Sequence, residues 1–541
     1  MRVLILSSNA VAADKKCRMA ADGWFWLSVL TVLIFWIPTI NVQPHLTTGD
    51  MGRDFYAFQL MTQGHWPVRD YWWQYGPLMP VYYAFWFLVG GVNILSVRMG
   101  LAAIYLLSSI LTYQILRLFT QAPVAFLSSL AFLSFDMTWT FNHIGAIPLL
   151  LFSIFSLWKF FLTHHKRWCY LGLLSVVAIA WLKISAGVFS FLAFYASLLL
   201  DYGLSGRKNS ETLLAWKHFI FLPLLFSVLT LGAYTALYWG VPADWVGQCM
   251  TLAPQYGRLT FFWTNLKHLF LRFLIWDRER LFGVAVFLIF GLLALLSLRK
   301  KNLSERDKKI YLPVWGSLVI YGVANSADYF LMEGMIYRFD FWLFPIFVLS
   351  LGFLAEWASS LFQRREKIIL GILIFLGLLI FPFKNFQEAL AMKVPERYLD
   401  FPQGQVYAGG ALASIQAVKA GTRFILENTT PAEKILAIPY EPLYAFLSGR
   451  RHALRELIFV EGIHIQPEQE ERMIREIEDE QVPLVLISNR YYSTEPGIGY
   501  FGKTHCQKLN RYLMDHYEEV QTFGRWEVES VEHAIKIFVR K

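Results

Sequence analysis

Long apolar runs recur from residue 24 to about residue 384 and constrain this chain more than any other feature. A bilayer-spanning helix needs roughly 20 predominantly apolar residues, with about 17 as a lower limit. By that measure spans are expected near 24–40, 95–118, 122–141, 145–162, 218–239, 281–298, 310–325, 341–361 and 368–384. The run at 169–201 has basic segments on both sides, so it must enter the bilayer and return as a hairpin of two short helices with Lys183 near the apex. Counted twice, it brings the total to eleven. Only 16% of the 541 residues are charged and 56% are hydrophobic, against about 25% charged in soluble domains. A soluble enzyme, a disordered chain and a coiled coil are excluded, and four cysteines make no disulfide framework.

From Asn385 to Lys541 charged residues become frequent and no run is long enough to span. The expected fold is a polytopic α-helical membrane protein of about eleven transmembrane helices, with a body at 1–384 and a C-terminal α/β domain at 385–541. Basic clusters at Lys15/Lys16, Lys166/Arg167, Arg207/Lys208, Arg299/Lys300/Lys301 and Arg364/Arg365 lie in short connecting segments, and such bias marks the cytoplasmic side. The N-terminus is therefore expected inside, in the inner or plasma membrane, with 385–541 extracytoplasmic beside loops 41–94, 240–280 and 326–340. These clusters account for most of the net charge of +9, so nucleic acid is not an expected partner.

The first outer loop is unusual. It carries Gly49-Asp50-Met51-Gly52-Arg53-Asp54-Phe55-Tyr56 and then His65-Trp66-Pro67-Val68-Arg69-Asp70-Tyr71-Trp72-Trp73-Gln74-Tyr75-Gly76-Pro77, acids and arginines set among aromatics. Phe55, Phe58 and Met61 at helical spacing predict an amphipathic helix over 53–63 lying on the membrane surface, with Asp50 just ahead of it. Leu78 to Gly90 is aromatic-rich and too short to span, so it suits an interfacial or re-entrant helix.

Residues Gly49 to Asp54 just after the first span, followed by Gly64, Pro67-Val68-Arg69-Asp70 and Tyr75-Gly76-Pro77-Leu78, resemble the first outer loop of GT-C membrane glycosyltransferases. That class includes protein O-mannosyltransferases, lipid A aminoarabinose transferases and bacterial relatives. Arg98 at the start of the next span, the run Gly172 to Lys183, and Tyr337-Arg338-Phe339 ahead of Pro345 match in the same order. Members of the aminoarabinose branch carry a lysine near the position of Pro77, where this chain has Gln74-Tyr75-Gly76, and this sets it apart from that branch. Trp72-Trp73-Gln74-Tyr75-Gly76 is similar to the oligosaccharyltransferase Trp-Trp-Asp-Tyr-Gly motif only superficially, because that motif belongs in a C-terminal domain and requires Asp.

The resemblance implies transfer of a sugar from a polyprenyl-phosphate donor to an envelope acceptor on the outer face, with inversion at the anomeric carbon. Such a displacement needs a base for the attacking hydroxyl and cations for the departing phosphate. Asp50 is the expected base. Asp54, one turn on, either orients Asp50 or the acceptor or complements the helix dipole as a first-turn acid, and Asp136, near the outer end of the third expected span, lies roughly where the family places an acid in its second outer loop. Arg338, Lys183, Arg53 and Arg98 are the candidates for the donor phosphate. His143 and His505 lack a partner at ligand spacing, and the first loop has no Asp-x-Asp pair, so neither metal nor other cofactor is expected. The competing reading is a transporter or lipid flippase, which tends to show repeated halves; none is found here.

In 385–541 strands are expected at 435–438, 483–488, 525–528 and 534–539, alternating with helices near 411–427, 467–480 and 504–516.

Overall fold

The computed structural model describes residues 22–46, 49–134, 140, 142–205, 216–250, 305–332, 336–359, 364–459, 465, 467–490, 501–527 and 532–541. The chain is mostly helical. Helices α1 (Gly23–Trp36), α2 (Gly49–Thr62), α3 (Leu78–Gly90), α4 (Ile94–Arg117), α5 (Ala122–Ser129), α6 (Asn142–Thr163), α7 (Lys166–Leu182), α8 (Ile184–Ser205), α9 (Trp216–Tyr238) and α10 (Ala243–Met250) form the first part. They are followed by α11 (Glu305–Met332), α12 (Ile336–Ser359) and α13 (Arg364–Ala391). Among the described residues, four helices are long and apolar enough to cross a membrane: Ile94–Arg117, His143–Thr163, Ile184–Leu204 and Phe219–Tyr238. The expected span at 281–298 lies outside the described residues.

The expected span at 122–141 is not one continuous α-helix. It starts with Pro123 in its first turn, ends as α-helix at Ser129 and tightens into a 3-10 segment at Leu130–Ser134. Ser129 lies where the helix changes, and its hydroxyl is engaged with Phe126 and with Ser28 of α1, the latter at 2.6 Å. Hydroxyls of this kind tie helices together where water is absent. Trp158 donates to Ser317 at 2.8 Å, and Ser153 bonds Tyr321 at 3.0 Å, joining α6 to α11.

The hairpin breaks at Lys183, whose φ/ψ of −152°/117° is extended. Its two arms touch through small residues. A Cβ on Gly187 would lie 2.3 Å from Ala180, and one on Gly172 would lie 2.6 Å from Phe194. The glycine and alanine content of this run therefore has a packing cause: it lets α7 and α8 approach closely.

Beyond α13 come α14 (Leu412–Asn428), α15 (Pro442–Ser448), α16 (Pro467–Asp479) and α17 (Gln507–His516). They surround a five-stranded sheet of β3 (Lys434–Ile438), β4 (Arg451–His452), β5 (Leu484–Ser488), β6 (Tyr517–Phe523) and β7 (Ile535–Arg540), in the order β4-β3-β5-β7-β6. Strands β4, β3 and β5 are parallel, and β7 and β6 run antiparallel on the other side. A separate parallel pair, β1 (Val42–Gln43) with β2 (Tyr407–Ala408), ties the segment after α1 to the chain beyond α13.

The expected strand at 525–528 is a correction. The strand is β6, at 517–523, and Arg525 to Glu527 lie outside it. β6 is an edge strand with Glu518, Glu519, Val520 and Gln521 exposed, so its acidic residues are compatible with pairing on one side and water on the other.

Candidate active site

The helix expected on the membrane surface is buried instead. Every residue of α2 from Met51 to Leu60 is inside the structure, packed between α3 and α15. Two glycines make this approach feasible. A Cβ on Gly49 would lie 2.3 Å from the ring of Tyr440, and one on Gly52 would lie 2.7 Å from the backbone nitrogen of Leu443. The periodicity of Phe55 and Phe58 was a sound sign of helix; it did not register that the opposite face meets another part of the chain. Asp50 lies in the first turn of α2, not ahead of it.

Burial of α2 carries two charges inward, and these are paired. The Arg53 guanidinium donates to Asp54 Oδ1 from Nε at 2.9 Å and from Nη2 at 2.7 Å, and both side chains are 1% exposed. Thr140 donates to the other Asp54 oxygen at 2.7 Å. Burial pushes the Asp54 carboxyl up to about 6, a rise that Arg53 and the Thr140 hydrogen bond hold back. For Arg53 burial works against the charge, yet Asp54, Tyr440 and Asp50 outweigh it and keep the group well above the ordinary arginine value. The guanidinium carbon lies 5.5 Å from the Trp73 ring centroid, 5.9 Å from that of Tyr75 and 6.0 Å from that of Tyr440. The aromatics interleaved with acids in the first loop thus enclose one cation, a favourable arrangement where water is excluded.

Asp50 is held differently. Its Oδ1 accepts from Tyr440 Oη at 2.7 Å and lies 3.0 Å from Arg53 Nη1, while Arg53 Nη1 also donates to Tyr440 Oη at 2.9 Å. Its side chain is 36% exposed, against 1% for Arg53 and Asp54. Among the described residues, Oδ2 accepts no hydrogen bond. One carboxylate is therefore accessible, fixed by one oxygen and open at the other.

The loop after α2 carries the site toward the hairpin. Trp73 Nε1 donates to the Gly76 carbonyl at 3.0 Å, and the Gly76 amide donates to the Leu182 carbonyl at 3.0 Å. A Cβ at Gly76 would fall 1.9 Å from the Trp181 carbonyl oxygen, so only glycine permits this contact. Beside it, Lys183 Nζ is 3.3 Å from His143 Nε2, and the His143 ring meets Tyr75 edge-on at 6.4 Å. Tyr75 faces both Arg53 and His143. Lys183 and the first-loop acids thus belong to one contiguous cluster, with Tyr75 and His143 between them.

The remaining expected site residues are Arg98, Arg338 and Asp136. The Arg98 guanidinium lies 4.7 Å from the Trp36 ring centroid, and Nε donates to the Ile40 carbonyl at 3.4 Å; neither contact joins it to Asp50 or Arg53. Arg338 lies in the first turn of α12, and its side chain is outside the described residues, as is Asp136. His143, read from sequence as a lone polar histidine, stands beside Lys183. Its position in the first turn of α6, a helix that contains Pro148, gave no sign of this, since the two residues are 40 apart in the chain. Tyr440 was also missed as a site residue. Among the described residues no group of three or more His, Cys, Asp or Glu side chains could hold a metal ion.

No family model and no curated protein matches the chain. Solved structures do. The chain is 13% identical to ArnT from Cupriavidus metallidurans, determined with undecaprenyl phosphate bound, over 96% of this chain and 98% of that one, with a TM-score of 0.49. It is 12% identical to the apo oligosaccharyltransferase of Archaeoglobus fulgidus, over 87% of this chain and 70% of that one, with a TM-score of 0.48. A third neighbour is the oligosaccharyltransferase AglB from Archaeoglobus fulgidus in complex with an inhibitory peptide and a dolichol-phosphate, 12% identical over 86% and 69%, with a TM-score of 0.45.

Proposed function

We propose that this chain is an integral-membrane glycosyltransferase that moves a sugar from a polyprenyl-phosphate donor to an envelope acceptor on the extracytoplasmic face. In this reading eleven spans place the N-terminus in the cytoplasm and 385–541 outside. The observation that carries it is Asp50: a half-open carboxylate beside a buried Arg53–Asp54 pair, in one cluster with Lys183.

The chemistry follows from that arrangement. An acceptor hydroxyl attacks the anomeric carbon from the face opposite the phosphate, its proton passes to Asp50 Oδ2, and the bond from carbon to phosphate oxygen breaks with inversion. The fixed Oδ1 leaves Oδ2 directed at the acceptor, which is the geometric requirement on a general base. Arg53 and Asp54 nearly neutralise each other, so their pair positions Asp50 without presenting a net charge. The leaving polyprenyl phosphate is an anion, and a fixed cation in a poorly hydrated site stabilises charge as it develops. Lys183 fills that role, with His143 holding its ammonium in place, and Arg338 is assigned to the same phosphate.

The test incubates the purified protein with a polyprenyl-phosphate sugar and envelope extract and follows both sugar transfer and free polyprenyl phosphate. Equimolar appearance of glycosylated product and polyprenyl phosphate supports the reading. Lipid scrambling between leaflets without cleavage of the donor would replace it with a flippase.

A further inference from the structure

Tyr440 reaches Asp50 from 390 residues away in the chain, and what stands behind it is a second buried polar cluster that the proposed chemistry does not use. Strands β3 and β5 are parallel neighbours. The chain leaves the carboxyl end of β3 into Pro439-Tyr440-Glu441 and the carboxyl end of β5 into Asn489-Arg490. In open α/β sheets ligands gather outside the carboxyl ends of adjacent parallel strands. Here that edge is turned toward α2.

Glu441 is 1% exposed. Arg490 grips it with two bonds, Nε to Oε1 at 2.6 Å and Nη2 to Oε2 at 3.0 Å, and Ser488 donates to Oε1 at 2.7 Å. His533 Nε2 lies 3.8 Å from Oε2 and 2.9 Å from the Tyr444 hydroxyl. Burial pushes His533 down to about 4 despite Glu441, so at neutral pH it is uncharged and the ion pair is Glu441 with Arg490 alone. A two-point grip on a buried carboxylate is rigid. It fixes the residue next to Tyr440.

We infer that Tyr440 is a positioning residue for the proposed transfer, braced by the Glu441–Arg490 pair, so that the segment beyond α13 completes the site by holding the Asp50 carboxylate through one oxygen. The inference rests on the proposed role of Asp50. Tyr440 donates to Oδ1 and at the same time accepts from Arg53 Nη1. Its hydroxyl therefore stops Asp50 from turning both oxygens onto Arg53, a rotation that would withdraw Oδ2 from the acceptor. The tyrosine ring also fills the space that Gly49 leaves, so the contact is built from both sides.

Tyr440→Phe removes the hydroxyl and keeps the ring. The expected result is a fall in kcat of about tenfold with donor KM and thermal unfolding unchanged; a variant that only loosened packing would lower the unfolding temperature instead. Glu441→Gln, which can still accept from Arg490 and Ser488, should lower kcat severalfold alone and not further in the Tyr440→Phe background. Wild-type kcat in Tyr440→Phe, with Asp50→Asn inactive, would overturn the inference and leave the role of Asp50 standing. Equal losses from Glu441→Gln in both backgrounds would overturn the brace. An Asp50→Asn variant as active as wild type would remove the proposed base and this inference with it.

Discussion

Replacing Arg53 with methionine separates what the buried pair does for the fold from what it does for the site. The substitution removes two hydrogen bonds to Asp54, the contact with Asp50 and the bond to Tyr440. It leaves the Asp54 carboxyl 1% exposed with Thr140 as its remaining donor. Breaking a buried pair from one side costs about 3–5 kcal/mol, roughly a 150-fold to several-thousand-fold drop in the folded-to-unfolded ratio. Asp54 already sits near 6 with Arg53 beside it, so without that cation it takes up a proton at neutral pH, and this caps the loss. Arg53→Met/Asp54→Asn removes the charge from both sides and keeps an acceptor for Thr140. It should therefore be more stable than Arg53→Met alone by about 2 kcal/mol; since Asp54→Asn alone strands the buried Arg53 charge and is itself destabilising, the coupling energy of the cycle is larger than that difference, as expected of residues in direct contact. Unfolding in detergent micelles, titrated with SDS and followed by tryptophan fluorescence, gives the four corners of the cycle. Additive losses, with coupling below about 0.5 kcal/mol, would refute the account of the pair.

Three further outcomes are expected. Transfer activity should fall as pH drops through about 6, where Asp54 becomes protonated and lets go of Arg53, and Thr140→Ala, which removes a donor to the ionised form, should move that limb to higher pH. The sign for stability is opposite: the folded value lies above the ordinary carboxylate value near 3.9, so this group lowers stability as pH rises from about 4 to about 6 and is level above, and the acid loss of activity appears without unfolding. Gly52→Ala should cost about 1–3 kcal/mol in the same SDS titration, because the added carbon meets the backbone of Leu443 at 2.7 Å. In steady-state assays Lys183→Ala should raise donor KM about tenfold or more with the acceptor KM unchanged; an unaltered kcat/KM for donor would remove Lys183 from the phosphate site.

Hydropathy located most of the helices because length and apolarity are properties of single segments. It placed the break at Lys183 for the same reason, since basic flanks on both sides force a return. It did not register the tightening into a 3-10 segment at Leu130–Ser134, beside Ser129, which bonds Ser28 across 101 residues. Strand β6 was displaced because an edge strand needs no apolar alternation. The candidate site was legible in part: Asp50, Asp54, Arg53 and Lys183 were named, and the structure brings them together, but the partners that define their state were not. Asp54 is shaped by Thr140, Lys183 by His143, and Asp50 by Tyr440. Each of those contacts crosses 40 or more residues of chain, and no local pattern records it.

The central claim is that Asp50 takes the acceptor proton. Single-turnover transfer from a polyprenyl-phosphate sugar by Asp50→Asn, compared with wild type at saturating donor, tests it most directly. Loss of the base should slow the chemical step by about 10²–10⁴-fold with donor affinity and folding unchanged. An Asp50→Asn enzyme that transfers sugar at the wild-type rate would contradict the account.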